Sequence, residues 1–188
     1  GDAPSTHIVK QSHVRLNDIV TNEQLSLMTA QCCGIDIPES FIINIGSGKE
    51  NEVLFATARY DRSWSDHPEK INDLPCPLRL HQEDFAQALG ILASEKYEKK
   101  PAGYLKMMFD ILRKYSTDPI RDQTRLWDIV VFNYLLGNTD AHIKNSSLLY
   151  SPDMKSVKLA PAYDLVSTTV YEQSTREMAF HIGGELLI

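Results

Sequence analysis

Cysteine is scarce in this chain: three in 188 residues, with Cys32 and Cys33 adjacent and Cys76 remote. Neighbouring side chains in a helix diverge, and no cysteine or histidine cluster completes a zinc spacing. Neither a disulfide framework nor a structural zinc site is therefore expected. Long apolar runs are also lacking. No window approaches the ~20 residues of a membrane span, although a hydrophobic content of 43% is ample for a core. Positive charge is in deficit, with 19 Lys and Arg against 25 Asp and Glu and a net charge of −6. Direct nucleic-acid binding, which calls for a basic face, is not expected of this segment. No leader peptide is legible. These absences together point to a reducing, cytoplasmic setting and no membrane partner. The length suits one domain or a large part of one. Gly1 in place of Met and the apolar close Leu186-Leu187-Ile188 lead to the expectation that both ends are cuts.

What is present centres on Gly137-Asn138-Thr139-Asp140-Ala141-His142-Ile143-Lys144-Asn145, a polar stretch behind the apolar run Leu126 to Leu136. Asp140 and Asn145 have the spacing of a protein-kinase catalytic loop, in which the Asp accepts the acceptor hydroxyl's proton and the Asn holds Mg²⁺. Phosphoryl transfer is thus the first expectation.

Thr6 to Lys10 is short and β-branched and predicts a strand ending in Lys10. Gln11 to Val20 reads as a loop. Thr21 is expected to cap a helix with Gln24 as capping-box partner, an apolar stripe of Leu25, Met28 and Cys32, and Gly34 as terminator. Glu23 in the first turn suits the helix dipole; it equally suits a partner for Lys10, as kinase helix glutamates pair with a strand lysine. Phe41 to Ile45 and Val53 to Tyr60 predict a hairpin about Gly46 to Glu50, whose Gly-Ser-Gly has no helix behind it and is read as a turn. Arg59, Asp61 and Arg62 fit either a nucleotide-contacting hinge or a surface ion pair of little energetic weight. The proline-bearing residues 64–80 read as a linker between a β-rich part, residues 1–63, and a mainly helical part, residues 81–188. There, His81 to Asp84 lead a short helix through Leu89, and another covers Gly103 to Tyr115. A third, capped by Asp118 with Pro119 at its first position, runs to Leu136 and is expected to be buried on most sides. Ser147 to Tyr150 and Val157 to Leu159 predict a hairpin. Asp164, just beyond it, fits a second metal ligand or a turn cap. Lys144 fits a solvated loop lysine or a phosphate-facing cation, and His142 a packed structural residue more readily than a proton carrier.

Read together, several stretches resemble the kinase region of HipA-type toxins, bacterial serine/threonine kinases of toxin–antitoxin systems. They are Pro4 to Lys10, Asn22-Glu23, Arg59 to Arg62, Leu80 to Gly90, Lys96-Tyr97-Glu98, Gly137 to Ser146 and Ala160 to Thr168. The resemblance implies an α+β, protein-kinase-like fold, distantly similar to phosphoinositide kinases, with a small partial β-rich lobe and a helical lobe. It implies ATP and Mg²⁺ as cofactors and Asp140 as catalytic base. Lys10 resembles the ATP-phosphate lysine, and Ala58, Arg59 and Tyr60 the adenine hinge. His142, Ile143, Lys144 and Asn145 would run along the nucleotide. Asn145 and Asp164 would hold the metal, with Tyr163 beside Asp164. The partners implied are a protein substrate of the aminoacyl-tRNA synthetase class and a helix-turn-helix antitoxin. The family's glycine-rich phosphate loop is expected upstream of Ser5, its helical end beyond Glu185, and no Phe-Gly follows Asp164. Two other readings follow from these departures and from the Asp-x-His-x-x-Asn pattern: a truncated nucleotide- or antitoxin-binding module, and a phosphoinositide-type lipid kinase.

Overall fold

A computed structural model of the chain describes residues 5–12, 16, 18–46 and 53–188. Strand β1 (His7–Gln11) leads to helix α1 (Ile19–Cys32), and β2 (Ser40–Asn44) and β3 (Val53–Ala58) complete an antiparallel sheet of order β1-β3-β2. The register pairs Lys10 with Phe55 and Ser40 with Thr57. The expected hairpin is therefore present, while its turn at 47–52 lies outside the described residues.

Helix α1 departs from expectation in start and in phase. It begins at Ile19, behind Asp18 in the left-handed region at φ 58°. Thr21 lies inside the helix, and the Gln24 amide reaches Ser40 O at 3.4 Å instead of returning to a cap. The buried face is Val20, Glu23, Ser26, Leu27 and Ala30, whereas Leu25 and Met28 stand exposed. The reason is chemical: two polar residues occupy the inner face, so hydrophobic periodicity selects the outer one. Gly34 does adopt the left-handed terminator, at φ 82°.

The stretch expected to be a linker carries three short strands. β4 (Arg62–Ser63) pairs with β7 (Leu78–Arg79), enclosing the hairpin of β5 (Glu69–Ile71) and β6 (Leu74–Cys76). Asn72 and Asp73 both have positive φ, 51° and 61°, as a two-residue hairpin loop requires. β8 (Gln82–Asp84) then runs into the short helix α2 (Phe85–Leu89). Asp84 closes a capping box there: its carboxylate accepts from Gln87 N at 2.8 Å and its own N–H donates to the Gln87 side chain at 3.0 Å.

Helix α3 (Tyr104–Tyr115) buries Tyr104, Met108 and Leu112. Helix α4 (Pro119–Leu136) starts as expected, with Asp118 accepting from Arg121 N at 3.3 Å and Pro119 in first place, and ends at Gly137 with φ 72°. Its burial is narrower than expected. Asp122, Leu126, Ile129, Val130 and Asn133 are buried, but Trp127, Val131, Tyr134 and Leu135 reach the surface. β9 (Ser147–Tyr150) and β10 (Val157–Leu159) form the expected hairpin, extended by β8 into a sheet of order β10-β9-β8. A last hairpin, β11 (Glu177–Ile182) and β12 (Glu185–Leu187), turns through Gly183 and Gly184, both at positive φ.

One core runs through both parts. Phe55 and Leu27 from the β-rich part and Phe85, Met108, Leu112, Leu126, Ile143, Leu159 and Leu165 from the helical part are all essentially sealed from water. Among the described residues no helix is long and apolar enough to cross a membrane.

Candidate active site

Three segments far apart in sequence meet at Lys10. Its ammonium lies 2.8 and 3.1 Å from the two oxygens of Glu23 and also contacts Asp164 Oδ1. β1 supplies the lysine. The buried face of α1 supplies Glu23, whose side chain is 6% exposed. The Lys10–Glu23 pairing is thus the reason a carboxylate sits on the inner face of α1. Burial works against the Lys10 ammonium, but Asp164 and then Glu23 outweigh it and hold its pKa above the ordinary lysine value. Burial pushes Glu23 upward against the pull of Lys10. One ammonium between two carboxylates leaves an excess negative charge that a further cation would neutralise.

Asp164 is the strained member. Its φ of 54° is rare for a residue other than glycine, and such strain persists only where surrounding contacts over-determine it. Those contacts are present. Asn138 donates to the Asp164 carbonyl at 3.2 Å and to Asn133 Oδ1 at 2.7 Å, tying Asp164 to α4. Asn22 brackets Ser167, donating to its carbonyl at 3.0 Å and accepting from its amide at 2.9 Å, which ties the same segment to α1.

The backbone of the catalytic-loop candidate is held by neutral bonds. Gly137 O accepts from Thr168 N and Thr169 N, both at 3.1 Å, and from Thr168 Oγ1 at 2.9 Å. Thr139 N donates to Thr168 Oγ1 at 2.8 Å. Asp140 O accepts from His142 N at 2.7 Å and from Asn145 Nδ2 at 2.9 Å. His142 is almost buried. Burial, then the nearby Lys96 charge, lowers its pKa below the ordinary histidine value, and its Nδ1 has no hydrogen-bond partner among the described residues. The ring is thus packed, with its charged form disfavoured, while it also lines the larger cavity beside Lys10.

Two cavities flank Lys10. The first, about 210 Å³, is walled by Ile8, Leu27, Ala58, Arg59, Tyr60 and Tyr163 and reaches Lys10, Glu23 and Asp164. The Tyr60 and Tyr163 rings stack at 5.5 Å. Tyr163 OH is bonded to Ser147 Oγ at 2.6 Å and donates to Lys144 O at 3.0 Å. The second cavity, about 710 Å³, shares Lys10, Glu23 and Asp164 and adds Asp140, His142 and Asn145. An apolar slot joined to a charged one is the shape a nucleotide and its phosphates require.

Most of the residues singled out in the sequence are brought together here. Ile143 instead belongs to the core, and Lys144 Nζ is paired with Asp84 Oδ2 at 2.7 Å, so neither lines these two cavities. The amides of Ala58 and Arg59, expected at a hinge, are committed to Glu39 O at 2.8 Å and Thr6 O at 2.9 Å and are not free to donate to a ligand. The Arg59–Asp61–Arg62 set is not a surface pair. Asp61 is 4% exposed, held by Arg59 at 3.0 and 3.1 Å and by Arg62 at 2.8 Å. Tyr97, whose hydroxyl donates to Asp140 Oδ1, and Gln82, which accepts from Tyr60 OH, were not singled out as site residues. Their contacts span 43 and 22 residues, and the signal that could have found them is their place in the resembling stretches Lys96-Tyr97-Glu98 and Leu80 to Gly90.

A family model described as the HipA-like C-terminal domain matches residues 1–186. Y4mE of Sinorhizobium fredii, named as a kinase, is 36% identical over 179 residues, covering 95% of this chain and 40% of the relative. The serine/threonine-protein kinase toxin HipA of Shewanella oneidensis is 29% identical, covering 98% of this chain and 42% of the toxin. The chain thus spans about two-fifths of the length of these relatives. Among solved structures, the Shewanella oneidensis complex of HipA, HipB and operator DNA matches with a TM-score of 0.78 and 28% identity over 97% of this chain and 42% of the other. The Helicobacter pylori proinflammatory kinase CtkA matches with a TM-score of 0.58 and 19% identity over 86% of this chain and half of the other, a likeness of fold alone. Its neighbours have a protein-kinase-like fold, a β-rich part followed by a helical part, and the chain belongs to the HipA-like C-terminal domain family.

Proposed function

We propose that this chain is the nucleotide-binding and catalytic part of an ATP- and Mg²⁺-dependent serine/threonine protein kinase of a bacterial toxin–antitoxin system. The observation that carries the reading is the meeting of Lys10, Glu23 and Asp164 on a cleft whose other wall is Asp140 and Asn145. In this reading ATP lies with its base in the slot beside Ala58, Arg59, Tyr60 and Tyr163 and its phosphates toward Lys10. Asp140 accepts the proton of the acceptor hydroxyl as the γ-phosphoryl group passes to that oxygen and ADP leaves.

The residues fit a magnesium ion. Among the described residues no cluster of three His, Cys, Asp or Glu side chains suited to a metal occurs. Mg²⁺ commonly takes only one or two protein oxygens and completes its shell with phosphates and water. Asn145 and Asp164 would provide those oxygens. Bound there, the ion would neutralise charge on the phosphate oxygens during transfer.

The substrate class implied by the family likeness, an aminoacyl-tRNA synthetase, and a helix-turn-helix antitoxin partner belong to the same proposal. The solved assembly of Shewanella HipA with HipB and DNA supports the second. A cytoplasmic location follows from such partners. In the full-length protein carrying this chain, Asp140→Asn is expected to lower transfer of labelled phosphate from ATP by about 10²–10⁴-fold. The melting temperature should hold, since Asp140 is exposed. Undiminished transfer in that variant would falsify the assignment.

A further inference from the structure

We propose that Tyr97 is a positioning residue for phosphoryl transfer: its phenol grips one oxygen of Asp140 so that the other faces the cleft and receives the acceptor proton. The inference rests on the reading of Asp140 as the base.

Three observations converge. Among the described residues the Asp140 carboxylate has one hydrogen-bond partner, the Tyr97 hydroxyl on Oδ1. The backbone of Asp140 is fixed by His142 and Asn145, but its side chain is exposed. Without the phenol, both side-chain torsions would be free to turn the base away from its target.

The phenol ring, though 40% exposed, has two fixed neighbours. Its ring meets His142 edge-on, at 5.4 Å and 77°, and the Lys96 ammonium lies 4.9 Å from its centroid. His142 stands two residues beyond Asp140, so the ring is registered against the same loop that carries the carboxylate.

The neighbouring residue makes this mounting rigid. Glu98 N donates to Ala179 O at 2.8 Å. The Glu98 carboxylate, 1% exposed, accepts from Ala102 N, Gly103 N and Tyr104 N at 2.7, 2.6 and 3.1 Å, and from His181 N and Nδ1 at 2.7 and 2.9 Å. One side chain thus joins the start of α3, β11 and the segment carrying Tyr97. Burial opposes that charge, yet these donors hold the Glu98 pKa below its ordinary value. A reacting group placed by locked neighbours retains its orientation, and displacement by an ångström can cost about 10²-fold in rate.

The discriminating variant is Tyr97→Phe in the full-length kinase, which keeps the ring on His142 and beneath Lys96 and deletes only the hydroxyl. The expected result is a fall in kcat of about 10–100-fold, with the KM for ATP and the melting temperature unchanged. Wild-type kcat would show that only the ring matters, and a raised kcat would show that the hydroxyl blocks the base; either overturns the proposal. Asp140→Asn separates the two levels. If it retains transfer, the base assignment itself is wrong; if it is dead while Tyr97→Phe is normal, only the role of Tyr97 is lost.

A second measurement needs no activity. Burial, then the hydrogen bond to Asp140, pushes the Tyr97 phenol up to about 12. A fluorinated tyrosine placed at position 97 ionises lower and can be followed by absorbance. Asp140→Asn should move its titration to lower pH. An unmoved titration would remove the contact on which the inference stands.

Discussion

The two walls of the cleft are built on opposite physical plans. The backbone of the loop from Gly137 to Asn145 is held by neutral hydrogen bonds, several of them in the dry interior, where Asn138 is 1% exposed. Its one ion pair among the described residues, Lys144 with Asp84, lies away from the cleft's charged corner. The corner of Lys10, Glu23 and Asp164 is held by charge and is partly wet, with side-chain exposures of 35% for Lys10 and 42% for Asp164. A neutral bond in a dry site keeps its geometry with or without ligand, because breaking it strands a donor or acceptor. An ion pair at a wet edge is weaker and responds to every new charge. The loop is therefore preset, and the corner is the part that can exchange its internal pairing for a new charge, which in the proposed reading would be phosphate and metal.

The largest effect should come from the dry side. Asn138→Ala deprives Asn133 Oδ1 and the Asp164 carbonyl of a buried donor and is expected to cost about 2–3 kcal/mol in urea unfolding. It should also weaken Mg-ATP binding by releasing Asp164 from its strained backbone. Binding unchanged alongside a full stability loss would break the link between the walls. Gly137→Ala comes next. The left-handed backbone at φ 72° costs an alanine about 1–2 kcal/mol. Its Cβ would also lie 2.1 Å from Thr169 Oγ1, so the contacts around Gly137 O must shift. Calorimetric melting and transfer rate should fall together.

The corner should behave in the reverse manner. Lys10→Met leaves the Glu23 carboxylate, 6% exposed, without its cation and is expected to cost about 1–2 kcal/mol, while phosphoryl transfer drops by about 10²-fold. A large stability loss with intact transfer would invert the comparison. The smallest effect is with pH. Because the Lys10 pKa is raised in the fold, its contribution is complete below the unfolded value of 10.5 and is lost as pH rises through the higher folded value. Urea stability measured from neutral to strongly alkaline pH should show a shallow decline above that point. Lys10→Met should lack it.

Much of this was legible in the chain. Asp118-Pro119 and Gly137 marked both ends of α4 through chemistry confined to a few residues, and the short apolar runs at Val53 to Ala58 and Ser147 to Tyr150 announced their strands. Helix α1 shows where that reading stops. Glu23 and Ser26 face inward, so the apolar residues left over trace the solvent side. The hairpin at Asn72-Asp73 was masked by its prolines, although two adjacent residues suited to positive φ were a usable sign.

Local order is what sequence by itself determines here: caps, turn residues, alternation, and the five-residue interval that sets Asp140 beside Asn145. These depend on contacts within one or two turns of backbone. The pairing of Lys10 with Asp164, 154 residues apart, and of Tyr97 with Asp140 depends on how layers pack. So do the burial of Asp61, the pairing of Lys144 with Asp84 and the orphaned nitrogen of His142. Such contacts cost chain entropy that only the assembled core can offset. No stretch of residues carries them, and tertiary structure alone decided them.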